Sequence, residues 1–340
     1  MGNRTEQEIM QNWSKREKPL VTVSCITYNQ EKYIEDAIKG FLLQKTDFPF
    51  EIIIHDDAST DNTTNIVREY AKKYPRIIKI ILQKENQHSQ GKKVSTFIFK
   101  IAQGDYIAIC EGDDYWTDPQ KLQIQASKMK GHPECRISFH AVKIFIGKDE
   151  LSNSDPRCKH HEEEQIFDPA TTLAGGGSFM RTPSIMIHRD VVINLPDFYY
   201  AAPCGDYILQ FLGSLNGGAL YINRAMAVYR IKTDGSWSKS IEDVDTYIKH
   251  YAQIIDSYLT INRYFNRKYE KEIISLVTPS AIKLAKLNFK KKKFEEFKKF
   301  IKTAYTLDKQ PSLELLTLYH LRHYPFLIDF LYWFKKILRK

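Results

Sequence analysis

The sequence predicts an α/β fold, a mostly parallel central sheet flanked by helices, with an α-helical C-terminal extension. Three observations predict it. Short apolar runs alternate with segments of helical spacing in the first third of the chain. Acidic clusters stand directly after two of those runs. From about Ile241 to the end only helical spacing remains. Strands alternating with helices imply a parallel sheet, and ligands of such sheets bind beyond the carboxyl ends of the strands.

The elements follow in order. Pro19 precedes an apolar run, Leu20 to Ile26, which Thr27-Tyr28-Asn29 breaks. Tyr33, Ile34, Ala37, Ile38, Phe41 and Leu42 have the spacing of one helix face within 31–44. Phe50 to His55 reads as a second strand, ending in Asp56-Asp57-Ala58-Ser59-Thr60-Asp61, and a helix through Ile66, Val67, Tyr70 and Ala71 follows. Ile77 to Leu82 is a third strand and Val94 to Ile101 a helix. Tyr106 to Cys110 is a fourth strand, ending in Glu111-Gly112-Asp113-Asp114. Asp118-Pro119 predicts a helix start, Asp as N-cap and Pro at the first helical position. Cys135 to Phe145, Ser184 to His188 and Leu220 to Arg230 read as strands, with a helix from Tyr207 to Leu215. Residues 148–165 read as a loop and Gly175-Gly176-Gly177 as a flexible joint. Ala281, Ala285, Phe294, Phe297, Phe300 and Ala304 share one face of a helical hairpin.

Composition narrows the class. The 340 residues are 43% hydrophobic, enough for a sizeable core, so wholesale disorder is excluded. The net charge of +9 is unevenly placed. Residues 281–340 hold 15 Lys and Arg against 5 Asp and Glu, leaving 35 against 36 in the first 280. The basic character therefore concerns whatever the tail touches, not the main domain. Five cysteines, an odd number with no CxxC pair, suit a reducing compartment. The N-terminus has no apolar secretory segment, and Met-Gly-Asn-Arg-Thr-Glu lacks the Ser or Thr of a myristoylation site. No apolar stretch is long enough to span a bilayer. The expectation is a cytoplasmic chain.

The acidic clusters carry the chemistry. A sugar–diphosphate bond breaks only if the leaving charge is stabilised, and a divalent cation held by carboxylates and phosphates does this. Glu111, Asp113 and Asp114 offer three carboxylates in one turn, with Gly112 allowing a tight backbone. Acidic turns are common, so on spacing alone a solvated turn is an equal reading. The second cluster, Asp56, Asp57 and Asp61, shifts the balance because it lies at the same sheet edge; Asp61 itself reads first as a helix N-cap. Cys158, His160 and His161 beside Glu162-Glu163-Glu164 lack a second ligand pair at finger spacing, so they read as a charged loop.

Val21-Thr22-Val23-Ser24-Cys25-Ile26-Thr27-Tyr28-Asn29, His55-Asp56-Asp57-Ala58-Ser59-Thr60-Asp61 and Gly104-Asp105-Tyr106-Ile107, running into Glu111-Gly112-Asp113-Asp114, resemble the family 2 glycosyltransferases of GT-A fold in order and spacing. Thr182-Pro183-Ser184, Cys204-Gly205-Asp206-Tyr207, Val228-Tyr229-Arg230 and Gly235-Ser236-Trp237-Ser238 look like the acceptor-side half of that family. The resemblance implies an N-terminal extension over 1–17, a GT-A domain over 18–240 (nucleotide-sugar half 18–125, acceptor half 126–240) and a helical basic region over 241–340. It implies Thr27, Tyr28, Asn29 and Asp57 on the nucleoside, of uracil in most of the family. Glu111 and Asp113 would fill the acidic places of the DxD motif. Asp113 and Asp114 would hold Mn²⁺ or Mg²⁺, with Gly112 in the same turn. Arg230 matches a family position, where it would bring positive charge to the diphosphate; His188 and Arg189 supply charge in the same half, Arg189 reading first as a surface ion pair. Lys92 and Lys93 would reach the base or phosphates. Asp206 matches the catalytic base of an inverting displacement; taken alone it reads as an N-cap of the following helix. Two departures are Glu111, one methylene longer than the usual Asp, and Ile26, where the family commonly has Pro.

The implied partners are a nucleotide-sugar donor, a UDP-sugar in the first place, and a glycan or lipid-linked oligosaccharide acceptor in surface-polysaccharide assembly. Tyr324 to Lys340 mixes aromatics with lysines and suits either a helix lying in an anionic membrane interface or one packed on the enzyme or a second copy. Three rivals remain. A nucleotidyltransferase would want a Gly-rich basic signature near Leu20 to Asn29, which is absent. Nucleic-acid binding by the tail leaves the acidic clusters unexplained. A non-catalytic partner subunit would not need Asp113 and Asp206.

Overall fold

The structure, a computed structural model, describes residues 4–147, 149–150, 159–231, 233 and 241–330. Cys158, the Gly235–Ser238 motif and the last ten residues of the basic tail lie outside the described residues. The chain divides into two compact units, Met1–Tyr200 with Cys204–Ser240, and Ala201–Pro203 with Ile241–Lys340.

The first unit is built on a ten-stranded sheet. Its strands are β1 (Val21–Thr27), β2 (Phe50–Asp56), β3 (Ile78–Leu82), β4 (Tyr106–Ile109), β5 (Tyr115–Trp116), β6 (Ile137–Ile146), β7 (Asp149–Glu150), β8 (Gln165–Phe167), β9 (Met186–His188) and β10 (Ala219–Ile231). They lie in the order β3-β2-β1-β4-β9-β6-β10-β5, with β7 on β6 and β8 on β10. β3, β2, β1 and β4 run parallel, as do β6 and β10. β9 is antiparallel to both of its neighbours, β4 and β6. The sheet is thus mostly parallel, with its carboxyl ends at Thr27, Asp56 and Ile109 on one edge.

Strands covered on both faces must be apolar on both. β2 is buried at all seven positions. It holds two buried carboxylates, Glu51 and Asp56: Glu51 is matched by Thr22 Oγ1, Lys79 Nζ and the Gln103 amide, each donating at 2.7 Å, and Asp56 Oδ1 accepts from the Ser59 amide at 3.1 Å. Helix α2 (Ile34–Leu42) buries Ile34, Ala37, Ile38, Phe41 and Leu42. α2 lies so close to β5 that a Cβ on Gly40 would sit 2.7 Å from the Trp116 carbonyl oxygen. Helix α3 (Thr63–Lys73) is tied down by Asp61, whose Oδ1 accepts from the Thr63 amide while Oδ2 accepts from Glu31. α4 is Ser95–Ile101.

The structure differs from the sequence reading in four places. Residues 6–10 form a short helix, α1, with Ile9 buried, and Trp13 packs edge-on against Phe50, so this stretch joins the core of the first unit. The helix after Asp118 starts at Lys121 (α5, Lys121–Gly131), because the Asp118 side chain and carbonyl take the Gln120 and Lys121 amides as a turn of their own. The glycines at 175–177 close α6 (Pro169–Gly175) and make a turn of 3-10 helix. The stretch from Ser184 becomes a strand only at Met186, after a 3-10 turn at Thr182–Ser184. α7 (Arg189–Ile193), α8 (Asp197–Ala201) and α9 (Asp206–Ser214) complete this unit's description.

The second unit contains α10 (Val244–Tyr264), α11 (Glu270–Lys290), α12 (Phe294–Leu307) and α13 (Leu313–His320). Ala281 and Ala285 of α11 and Phe297, Phe300 and Ala304 of α12 are buried, the apolar faces of a helical hairpin.

Candidate active site

The carboxyl edge of β1 and β2 forms one wall. Thr27 ends β1 and is buried, while Tyr28 projects, 39% exposed. Asn29 has φ 50°, a conformation that Asn tolerates better than most residues. Its Oδ1 accepts from the Thr60 amide and its own amide donates to Ser59 Oγ, so the turn after β1 is locked to the turn after β2. Asp57 is buried, and its two oxygens accept from the backbone amides of Gln87 and His88 at 2.8 and 2.9 Å. A carboxylate has about four acceptor sites, so two amides leave it able to take a further donor. Lys92 reaches the same loop, donating to Gln87 Oε1 at 2.6 Å.

Glu111, Asp113 and Asp114 follow β4, and their carboxylate oxygens lie within 4.8 Å of one another. Gly112 packs against the end of β1: its amide donates to the Ile26 carbonyl, and a Cβ there would lie 2.8 Å from Thr27 Oγ1 and 2.4 Å from Gln30 Oε1. The three acids are not alike. Asp113 and Asp114 are 6% and 1% exposed, whereas the Glu111 side chain is open to solvent. Asp113 Oδ2 accepts from Thr233 Oγ1 at 2.7 Å. Asp114 Oδ1 accepts from the Arg230 amide at 2.8 Å, and its Oδ2 is buried with no hydrogen-bond partner. Loss of water holds all three carboxyls above the ordinary range, and neighbouring negative charge adds to this for Asp114 and Glu111. Glu111 is pushed up as well, the water it loses to the surrounding protein counting first and the charges of Asp113 and Asp206 next, although part of its surface stays open to solvent. An all-oxygen cluster short of positive charge, with an orphaned buried oxygen, fits a hard divalent cation.

Arg230 organises this end of β10. Its guanidinium donates to the Asp113 carbonyl at 2.9 Å and to Asp36 Oδ2 at 2.7 Å, and it lies 4.4 Å from the Tyr115 ring. Two of its donors are therefore spent on protein groups.

Asp206 opens α9 as its first residue, with Gly205 as N-cap, and its carboxylate is held by the Tyr207 amide in the first turn of the helix. Asp206 Oδ1 is buried without a hydrogen-bond partner. Burial raises its carboxyl, against the pull of the Tyr207 amide, the Cys204 thiol and the Lys93 charge. Its charge is felt by Glu111, so the two carboxyls stand near one another. Gly177 lies beside it, where a Cβ would stand 3.4 Å from Asp206 Oδ2. Gln210 on α9 fixes that loop, accepting from the Met180 amide and donating to the Met180 carbonyl.

His188 and Arg189 fall elsewhere. His188 ends β9, and because β9 is antiparallel its end pairs with Tyr106 at the start of β4, on the far edge of the sheet. There His188 Nδ1 lies 2.7 Å from Asp190 Oδ1, and the Arg189 amide donates to the Asp105 carbonyl. Sequence reading missed Thr233, Asp36 and Gln30, which hold Asp113, Arg230 and Thr27. Nothing in their local pattern sets them apart, since each acts across a long sequence separation or through a turn. Cys204 and Lys93 beside Asp206 were legible as residues but not as neighbours.

Residues 22–191 match the family model described as glycosyl transferase family 2. An uncharacterized protein of Mycobacterium tuberculosis is 34% identical over 230 residues, 66% of this chain and 62% of that protein. The match thus spans under two thirds of the relative's length. A proposed teichuronic acid biosynthesis glycosyltransferase of Bacillus subtilis, TuaG, is 35% identical over 136 residues, 40% of this chain and 50% of that protein. Among solved structures, S. aureus TarS 1-349 in complex with UDP-GlcNAc superimposes with a TM-score of 0.62 at 18% identity, over 90% of this chain and 87% of that one. At that identity the likeness concerns the fold.

Proposed function

The chain belongs to glycosyl transferase family 2 and has the GT-A fold with a helical extension, and from that premise we propose that it transfers one sugar from a nucleotide-sugar donor to an acceptor hydroxyl with inversion. The observation that carries the reading is the Glu111, Asp113, Asp114 cluster after β4 with Asp206, one of whose oxygens is buried without a partner, near enough for its charge to act on Glu111.

Thr27, Tyr28, Asn29 and Asp57 would hold the nucleoside, Asp57 with the acceptor capacity its two amides leave. Lys92, Glu111, Gly112 and Arg230 would lie along the diphosphate. Asp113 and Asp114, with Glu111 at the open side, would hold Mn²⁺ or Mg²⁺, which when bound neutralises charge on the leaving diphosphate. Asp206 takes the proton of the acceptor hydroxyl. The freed oxygen attacks the anomeric carbon, the bond from that carbon to the phosphate oxygen breaks, and the nucleoside diphosphate leaves. Its raised carboxyl makes Asp206 a stronger base than an ordinary aspartate. A UDP-hexose or UDP-N-acetylhexosamine is the donor we favour, in keeping with the sugar nucleotide bound by TarS. A glycan or lipid-linked oligosaccharide of the cell surface is the acceptor, which places the enzyme on the inner face of the membrane.

The test is turnover of UDP-, GDP- and dTDP-sugars with Mn²⁺ or EDTA. One donor is expected to turn over, with metal, and Asp113→Ala and Asp206→Asn to abolish it. Turnover that ignores EDTA and survives Asp113→Ala would sink the metal assignment. Full activity of Asp206→Asn would remove the base.

A further inference from the structure

Helix α11 has two faces. One, with Ile273, Val277, Ala281, Leu284 and Ala285, is buried within the helical unit. The other carries Pro279, Ile282, Lys283, Lys286, Leu287 and Lys290, spaced so that all six share one side of the helix. With Thr278 they line a groove of about 510 Å³. The floor is aliphatic and the rim is three lysines on successive turns. Thr278 Oγ1 is buried there with no hydrogen-bond partner, a hydroxyl able to donate to an anionic oxygen.

Neighbouring parts of the same unit extend this chemistry. Lys286 pairs with Glu314 at 2.9 Å, which brings the start of α13 to the rim, and Leu313 beside it is 81% exposed. Lys283 lies 4.4 Å from the Tyr247 ring, which stacks on Tyr251. After α13, Tyr324, Phe326 and Phe330 are each more than half exposed. The charge excess of the chain lies in this region, 15 basic against 5 acidic residues over 281–340.

We propose that the α11 groove is a binding site for the headgroup of an anionic phospholipid, and that the helical unit docks on a lipid surface through it. Cationic rim, aliphatic floor and exposed Leu313 match a surface that is anionic outside and hydrocarbon beneath. A nucleic-acid phosphate would use the lysines but leave the aliphatic floor and Leu313 facing water. This deepens the membrane placement proposed above by naming its surface, and moves the contact from the chain end to α11.

The full chain is sedimented with vesicles of phosphatidylcholine alone or with phosphatidylglycerol added, without donor. Binding is expected only to the anionic vesicles. Lys283→Gln, Lys286→Gln and Lys290→Gln together should weaken it about fivefold per lysine. The same charge loss at Lys298, Lys299 and Lys302 of α12 should weaken it far less, and Leu313→Ser should weaken it with charge unchanged. A thermal melt checks each fold, and the exposed single change Lys290→Glu serves if the triple variant does not fold. Equal losses from the two triple variants would leave only diffuse charge and overturn the groove. So would displacement of the protein from vesicles by a single-stranded oligonucleotide with the same lysine dependence. Failure of the wild type to bind either vesicle overturns groove and membrane placement together, while sugar turnover, read separately, still stands.

Discussion

Asp206, the base proposed above, illustrates what a buried carboxylate costs its own fold. Burial raises its carboxyl above the ordinary value of about 4, so the folded state holds a proton that the unfolded chain has already released. Stability is then lost as pH rises from the ordinary value through the folded one. Asp206→Asn, which cannot ionise, should raise the melting midpoint at neutral pH while removing transfer, and the gain should vanish at acid pH. A midpoint that falls at neutral pH but not at acid pH would mean that Asp206 is held as an ion. The pattern shared with the family singled out Asp113 after β4 and Asp206 at the start of α9, whose roles here are proposals. The residues that position them were not legible. Thr233 reaches Asp113 across 120 positions, and Arg230 reaches Asp36 across 194, separations at which a sequence offers no periodic signal.

Strands and helices of the first half were legible because they follow simple rules: a short apolar centre such as Ile52, Ile53 and Ile54 in a strand buried on both faces, and an apolar residue at every third or fourth position in α2 and α3. The direction of β9 was not, since three residues of apolar character read the same both ways. Its antiparallel course is what carries His188 and Arg189 away from the site. Contacts between elements give sharper tests than their existence. α2 meets β5 through Gly40, where an added methyl would strike the Trp116 backbone. Gly40→Ala should cost about 1 to 3 kcal/mol in a urea titration, despite the better helix propensity of Ala. A neutral or stabilising result would show that α2 can move off β5.

The molecule as a whole separates charge from chemistry. Its first 280 residues are almost neutral, 35 basic against 36 acidic, so the acidic site stands in no strong background field. A cation that binds the Glu111, Asp113, Asp114 cluster should stabilise the folded protein by mass action. At about a hundredfold excess over its dissociation constant, Mn²⁺ should add about 2.7 kcal/mol. The readout is the melting transition of wild type with and without Mn²⁺, and Asp113→Ala should show no shift. A shift of equal size in Asp113→Ala would place the ion elsewhere. Among the described residues, no helix is long and apolar enough to cross a membrane.

One contact described above bears on how such a protein can change over time. Asp57 holds the segment after β3 by the amides of Gln87 and His88. Every residue except proline offers an amide, so that anchorage does not specify which side chains stand at those two positions. Mutation can therefore redraw the surface which this segment shows to a ligand while its path stays pinned. Asp57 itself has no such latitude. Descendants of this sequence could vary the exposed position 88 in this way, while the buried Gln87, bonded to Lys92 and Glu85, and the aspartate stay as the fixed points around which the surface moves.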